Sequence, residues 1–310
     1  MNSNTQKLTF GAMLIAVFGV LLLLNRQTGG LFEELFVYIF PLPMTAYSAK
    51  YGLKSGVPVF IGMSLITIFC GSFTAVFYAT TAALLGLSFG GCLYHRADGT
   101  HTLILVMVLS AVFNVLSTVV LASLFGYDLN REIAEMQKMM SETMQRAGMV
   151  MPENVFTRDY LKRLMIISMV FMGLIQGFLI FEISLLVLKR LRFPVQRPKP
   201  LRDYRPPKWS GYLGLGAFML YLFTFGRGGE ETAVVTAGQT LGVCGYIYLV
   251  CFGILALCLI VKAYIANSKL LSFLLCAAGL LIFPLPLTFL GFFYISGSLH
   301  DSLEARLPKR

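Results

Sequence analysis

Three features of the sequence predict an all-α, polytopic integral membrane protein. Of its 310 residues, 57% are hydrophobic and only 13% are charged, whereas a soluble globular chain carries roughly 25% charged residues. Apolar stretches of about 20 residues, the length that crosses a bilayer as a helix, recur along the chain. The basic residues lie mainly in the segments between these stretches. The net charge of +10 therefore does not indicate a nucleic-acid partner, and the expected surroundings are a lipid bilayer.

The chain contains eight or nine candidate transmembrane helices. Their positions are 8–24, 31–49, 57–69, 73–94, 102–124, 164–188, 211–225, 233–261 and 270–295. The candidate at 211–225 has only about 15 residues, so it crosses a bilayer only where the bilayer thins or its flanks extend it. The span 73–94 repeats small residues every four positions, which favours close helix packing.

A basic, proline-rich loop at 191–209 divides the chain into two predicted membrane units. Residues 1–190 form a six-span N-terminal unit, and residues 210–310 form a C-terminal unit of two or three spans. Eight Lys and Arg residues against one acid, Asp203, between 189 and 208 place this loop in the cytoplasm. Alternating outward from it places the N-terminus in the cytoplasm as well.

An amphipathic helix is predicted at 128–148, inside the N-terminal unit and on the outer side of the membrane. Ile133, Met136, Met140 and Met144 share one of its faces. Two interpretations stay open: an interfacial connector without a ligand role, or a lid whose unbranched Met side chains adapt to a bound molecule.

Candidate ligand-binding residues lie on three of the spans. Ser110, Asn114 and Ser117 form a polar stripe at helical spacing, and this stripe must face the interior of the bundle because lipid would penalise it. Gln176 and Glu182 are further polar groups deep in a span. We expect a small-molecule pocket formed by Asn114, Gln176 and Glu182, with contributions from Tyr78 and Ser110.

The acidic residues in or near the spans have alternative interpretations. Glu182 is the only acid deep in a span; it is either a paired or protonated structural acid, or a ligand or proton site. Glu33 and Glu34 precede the second apolar run, where acids complement the dipole of a helix start or face a substrate. No signature of a hydrolase, metalloprotease or nucleotide-binding loop occurs in the sequence. We therefore expect neither an enzyme, nor a cofactor, nor a metal site.

Two nearly identical strings lie near the middle of two spans. Residues 39–45 read IFPLPMT, and residues 282–288 read IFPLPLT. Two prolines two positions apart predict a broken helix at each place. The repetition arises either by chance in an apolar-rich chain or from the inverted repeats found in transporters.

The order of motifs resembles the YybS-like family of bacterial membrane proteins over nearly the whole chain. The residues that carry it are the run 41–54, Gly86, Gly90 and Gly91, Pro152 and Arg163 around the long loop, the run 239–242, and Leu290, Gly291, Asp301 and Arg306. This resemblance implies a multi-pass protein of the bacterial inner membrane.

Over its six N-terminal spans, that family is similar in turn to the substrate-binding S-components of energy-coupling-factor vitamin transporters. The similarity implies a small molecule bound from outside and a transmembrane coupling subunit docked through an Ala-x-x-x-Ala motif in the first helix. Ala12 and Ala16 fit that motif, although internal packing would also explain them. The extra C-terminal spans depart from the S-component pattern.

Two functions are therefore expected. The first is a small-molecule-binding membrane protein of the S-component type, which cannot power transport alone because the chain has no transport ATPase motif. The alternative is a non-transporting scaffold that recruits cytoplasmic proteins through the basic loop 191–209.

Overall fold

The computed structural model describes residues 3–125, 129–146, 157–193, 206–224, 233–264 and 284–306, together with 148, 195 and 198. Every regular element in these ranges is a helix. The helices are α1 (Ser3–Gln27), α2 (Glu33–Ile39), α3 (Pro41–Tyr51), α4 (Leu53–Cys70), α5 (Phe73–Tyr94), α6 (Gly99–Phe125), α7 (Leu129–Arg146), α8 (Arg158–Arg190), α9 (Lys208–Thr224), α10 (Ala233–Tyr264), α11 (Pro284–Ser296) and α12 (Leu299–Arg306).

Six of the described helices, namely α1, α4, α5, α6, α8 and α10, are long and apolar enough to cross a membrane. This confirms the predicted all-α, polytopic architecture. The predicted span 31–49 consists of the two shorter helices α2 and α3, and the predicted span 211–225 lies almost wholly within the 17-residue α9. Most of the predicted span 270–295 lies outside the described residues, as does most of the basic loop 191–209.

The helix break predicted at the first proline pair is confirmed. Helix α2 ends at Ile39, and α3 begins at Pro41, whose missing N–H is tolerated in the first turn of a helix. In the second copy of the string, α11 likewise begins at Pro284. In both copies the first proline of the pair therefore starts a helix.

The contacts divide the chain into two compact units. The first consists of residues Met1–Leu129 and Ile166–Pro198, and the second of Asn130–Met165 and Lys199–Arg310. Residues 130–165, which the sequence analysis assigns to the N-terminal unit, thus group with the C-terminal residues. Helix α8 supplies its first turns to the second unit and the rest of its length to the first.

Helix α5 lies at the centre of the first unit. Its small residues Ala75, Ala79, Ala82 and Ala83 are buried, as the four-residue repeat predicts. At Gly90, a Cβ atom would lie 2.5 Å from the carbonyl oxygen of Thr45 on α3. The absence of a side chain at such positions lets the α3 and α5 backbones touch, which is how helices pack where lipid removes the hydrophobic drive.

In the second unit, α10 packs on α9 and α11, again through glycines. A Cβ at Gly253 would collide with the carbonyl oxygen of Leu287 on α11, and one at Gly242 would collide with Tyr221 on α9. The apolar face of α7 packs in a cluster with the start of α8, in which Ile133, Met136 and Met140 contact Tyr160 and Leu161.

Hydrogen bonds also join α8 to α9 and α10 within the second unit. The Arg163 guanidinium donates to Gln239 Oε1 at 2.9 Å and to Thr236 Oγ1 at 3.4 Å. The hydroxyls of Tyr160 and Tyr221 lie 2.8 Å apart. Gln239 is only 3% exposed, so the Arg163 side chain satisfies an acceptor that water does not reach.

Replacing Arg163 with Met should lower the free energy of unfolding by about 1–2 kcal/mol, because the buried Gln239 carbonyl loses its donor. Arg131 provides the matched control, since its salt bridge to Glu135 on α7 is exposed and such pairs contribute about 0–1 kcal/mol. Thermal unfolding in detergent compares the two Arg→Met variants. Equal destabilisation by both would contradict the structural role of the Arg163–Gln239 bond.

Candidate ligand-binding cleft

A cleft of about 680 Å³ lies within the first unit. This volume falls within the range of small-molecule sites. Helices α2, α5, α6 and α8 supply most of its lining. The polar side chains that line it are Glu33, Glu34, Tyr38, Tyr78, Thr81, Ser110, Asn114, Ser117, Thr118, Ser168 and Gln176.

Two glycines of α8 set the distance between α6 and α8 on one side of the cleft. A Cβ at Gly173 would lie 2.5 Å from the Ala111 Cα atom, and one at Gly177 would lie 2.6 Å from the Met107 Cα atom. This G-x-x-x-G spacing is the one that lets two helix backbones meet in a membrane. The contact fixes the registers of α6 and α8 relative to each other.

That register brings two predicted ligand-binding residues together. Asn114 Nδ2 donates to Gln176 Oε1 at 3.2 Å, and both side chains line the cleft. Each amide has further donors or acceptors that this single bond does not use. Ser110, one turn before Asn114, is only 2% exposed, and its hydroxyl has no hydrogen-bond partner among the described residues.

The opposite side of the cleft carries aromatic side chains. Tyr78 of α5 accepts a hydrogen bond from Asn25 Nδ2 of α1 at 2.6 Å, and its ring packs against Phe40 with centroids 5.9 Å apart. Its hydroxyl is therefore held in place by a buried neighbour. Tyr38 and Phe113 supply two further rings to the lining.

Two carboxylates, Glu33 and Glu34, lie at the start of α2 and line the same cleft. Neither belongs to the ion pairs found among the described residues, and the described lining contains no Lys, Arg or His. Burial, and secondarily the charge of Glu34, raises the pKa of Glu33 above its ordinary value. The cleft therefore has an uncompensated negative charge on one side.

Glu182 lies outside this cleft, although the sequence analysis grouped it with Asn114 and Gln176. It is half-buried and does not line the cleft. Six residues separate it from Gln176, and six steps of about 100° turn the side chain to another face of α8. Its predicted pairing is not observed either, since the ion pairs of the described residues do not include it.

Ala12 and Ala16 are exposed on α1. The glycines beside them point the other way: a Cβ at Gly11 would meet Val59 of α4, and one at Gly19 would meet Ile66 of α4. Internal packing of the first helix therefore uses its glycines, and its alanines belong to an outer face together with Met13, Val17 and Val20.

Sequence reasoning missed two features of the cleft. The G-x-x-x-G pair of α8, Gly173 and Gly177, is visible in the sequence but was not singled out. The alternative in which Glu33 and Glu34 face a substrate was left open, although no other acids line the cleft. Among the described residues, no cluster of three or more His, Cys, Asp or Glu side chains could hold a metal ion.

Comparison with known proteins gives one family and one relative. A family model described as "Predicted membrane protein (DUF2232)" matches residues 16–293. The chain is 25% identical over 252 residues to the "Uncharacterized protein YybS" of Bacillus subtilis (strain 168), which covers 76% of this chain and 79% of the relative. No solved structure matches.

Proposed function

The chain belongs to the DUF2232 family of predicted membrane proteins, and from that premise we propose that it binds a small polar molecule in the cleft of its first unit. The resemblance to the YybS-like family predicted from the order of motifs is confirmed. The likeness to S-components stays a prediction, as do the count of eight or nine spans and the division of the membrane units at 191–209.

The observation that carries this proposal is the polar lining of a cleft in an otherwise apolar protein. Asn114, Gln176, Ser110 and Tyr78 come from three helices and converge on one cavity. Polar side chains inside a membrane cost free energy unless they have a partner, and a bound molecule with hydrogen-bonding groups supplies partners. The α6–α8 and α1–α5 hydrogen bonds orient these groups before a ligand arrives, which lowers the entropic cost of binding.

A role as a substrate-binding component accounts for the remaining features of this proposal. The exposed Ala12 and Ala16 face provides a surface on which a membrane coupling subunit docks, since small residues let helices approach closely. The charge of the loop 189–208 favours a cytoplasmic N-terminus in the inner membrane. With this orientation the cleft, lined by the starts of α2 and α5, lies at the outer end of the first unit.

The test is a thermal-unfolding screen of the purified full chain against vitamins, nucleobases, amino acids, amines and metal ions. A ligand at 100 times its Kd stabilises the folded state by about 2.7 kcal/mol. We expect at least one compound to raise the unfolding temperature. The double variant Asn114→Leu/Gln176→Leu should lose this shift and still fold, because removing both partners of a hydrogen bond leaves neither unsatisfied.

Gln145→Leu, at an exposed position of α7, is the control and should keep the ligand shift. A screen in which no compound stabilises the chain, or in which the double variant responds like the wild type, would overturn the proposal. If cellular function then depends on residues 192–205 and not on Asn114, the scaffold alternative is the better explanation.

A further inference from the structure

The charges around the cleft point to the class of molecule that it selects. We propose that the cleft selects a small organic cation, such as an amine or a quaternary ammonium compound, an inference that rests on the proposed binding function. Three independent features of the described lining carry it: the sign of the charged side chains, the aromatic rings and an unsatisfied buried hydroxyl.

The first feature is the charge. Glu33 and Glu34 line the cleft, whereas no basic residue of its described lining and no ion pair offsets them. Walls of low dielectric constant focus such a field into a cleft and raise the local concentration of counter-ions. An anionic molecule meets two like charges and no cationic partner, so the lining also selects against anions.

The second feature is the chemistry of the other walls. Tyr38, Tyr78 and Phe113 present aromatic rings, and the faces of such rings attract ammonium groups. A bare metal ion suits this site poorly, because Glu33 and Glu34 are adjacent on one helix and neighbouring helical side chains diverge. A cleft of about 680 Å³ instead accommodates an organic molecule of many atoms.

The third feature is Ser110, which is 98% buried by its 2% exposure and lines the cleft without a hydrogen-bond partner among the described residues. A buried hydroxyl without a partner costs about 1–3 kcal/mol. A polar group of the ligand would satisfy it. The molecule therefore combines a positive charge, held near α2, with a hydrogen-bonding group that reaches Ser110 and the Asn114–Gln176 pair.

The test measures the charge selectivity of the cleft without needing the natural ligand. Met172 lines the cleft and is 62% exposed, and Met139 on α7 is 69% exposed outside it. Each is replaced by Cys in the full chain. The rate of modification at that residue is measured by peptide mass spectrometry, which leaves the native cysteines in place. The reagents are the trimethylammonioethyl and sulfonatoethyl methanethiosulfonates, one cationic and one anionic.

At Met172→Cys, the ratio of cationic to anionic rates should exceed the ratio at Met139→Cys by about tenfold. Adding Glu33→Gln and Glu34→Gln should lower the ratio at 172 to the control value and leave the ratio at 139 unchanged. A ratio at 172 that equals the control, or that survives both Glu→Gln changes, overturns the cation proposal. Failure of the proposed binding function is a separate result, namely a thermal screen without any stabilising compound.

Discussion

Replacing Gly177 with Leu should separate α6 from α8 and weaken ligand binding by roughly 5- to 30-fold. A Cβ at this position would already lie 2.6 Å from the Met107 Cα atom and 2.9 Å from the Ser110 Cβ atom. The larger Leu side chain fits only if the two helices move apart. The Asn114–Gln176 bond, at 3.2 Å, then breaks, and the ligand loses one or two hydrogen bonds worth about 1 kcal/mol each.

The measurement is the affinity for whichever compound the thermal screen identifies, determined in the variant and in the wild type. Gly216→Leu on α9 is the matched control, because nothing lies within 4 Å of a Cβ at Gly216; it should leave the affinity unchanged. Gly173→Leu should reproduce the loss, since its Cβ would meet Ala111 and Asn114. Unchanged affinity in both α8 variants would show that the α6–α8 contact does not position the site.

The general architecture could be predicted from the sequence because lipid imposes strong constraints. Apolar length alone locates α1, α5, α6 and α8. The small-residue repeat identifies the buried face of α5, and the proline pair predicts where α2 gives way to α3. The polar stripe of α6 was likewise predicted to face the interior, and Ser110, Asn114 and Ser117 all line the cleft. In each case, a local rule determines the outcome.

Features that depend on tertiary contacts could not be predicted in the same way. Gln176 and Glu182 lie six residues apart on one helix, and only the packing of α8 on α6 decides which of them faces the cleft. Similarly, the amphipathic pattern of α7 predicts an apolar face but not the surface that covers it. That face contacts Tyr160 and Leu161 of α8 and Tyr221 of α9, which are distant in sequence.

Changing Glu33 to Gln should have opposite effects on stability and on binding. Burial and the neighbouring charge of Glu34 raise the pKa of Glu33 above the ordinary 4.5, so ionising Glu33 costs the folded state free energy. A raised carboxyl pKa contributes stability that is fully present below the ordinary value and is lost as the pH rises through the folded-state pKa. The neutral Gln side chain does not incur this loss. Glu33→Gln should therefore unfold at a higher temperature than the wild type at pH 7.5 and at a similar temperature near pH 4.

The same variant should bind a cationic ligand more weakly at pH 7.5, because one of the two carboxylates of the cleft is gone. For the wild type, affinity should fall as the pH falls and Glu33 takes up a proton. Glu34 and Tyr78 are the other titratable groups near it. Glu135→Gln on α7, which removes the exposed partner of Arg131, controls for the general loss of an acid and should change neither property. A residue that only capped α2 would lower stability when replaced, whereas one retained for binding at a cost to the fold raises it. Destabilisation by Glu33→Gln at pH 7.5 with unaltered binding would therefore assign Glu33 to the helix start and not to the ligand.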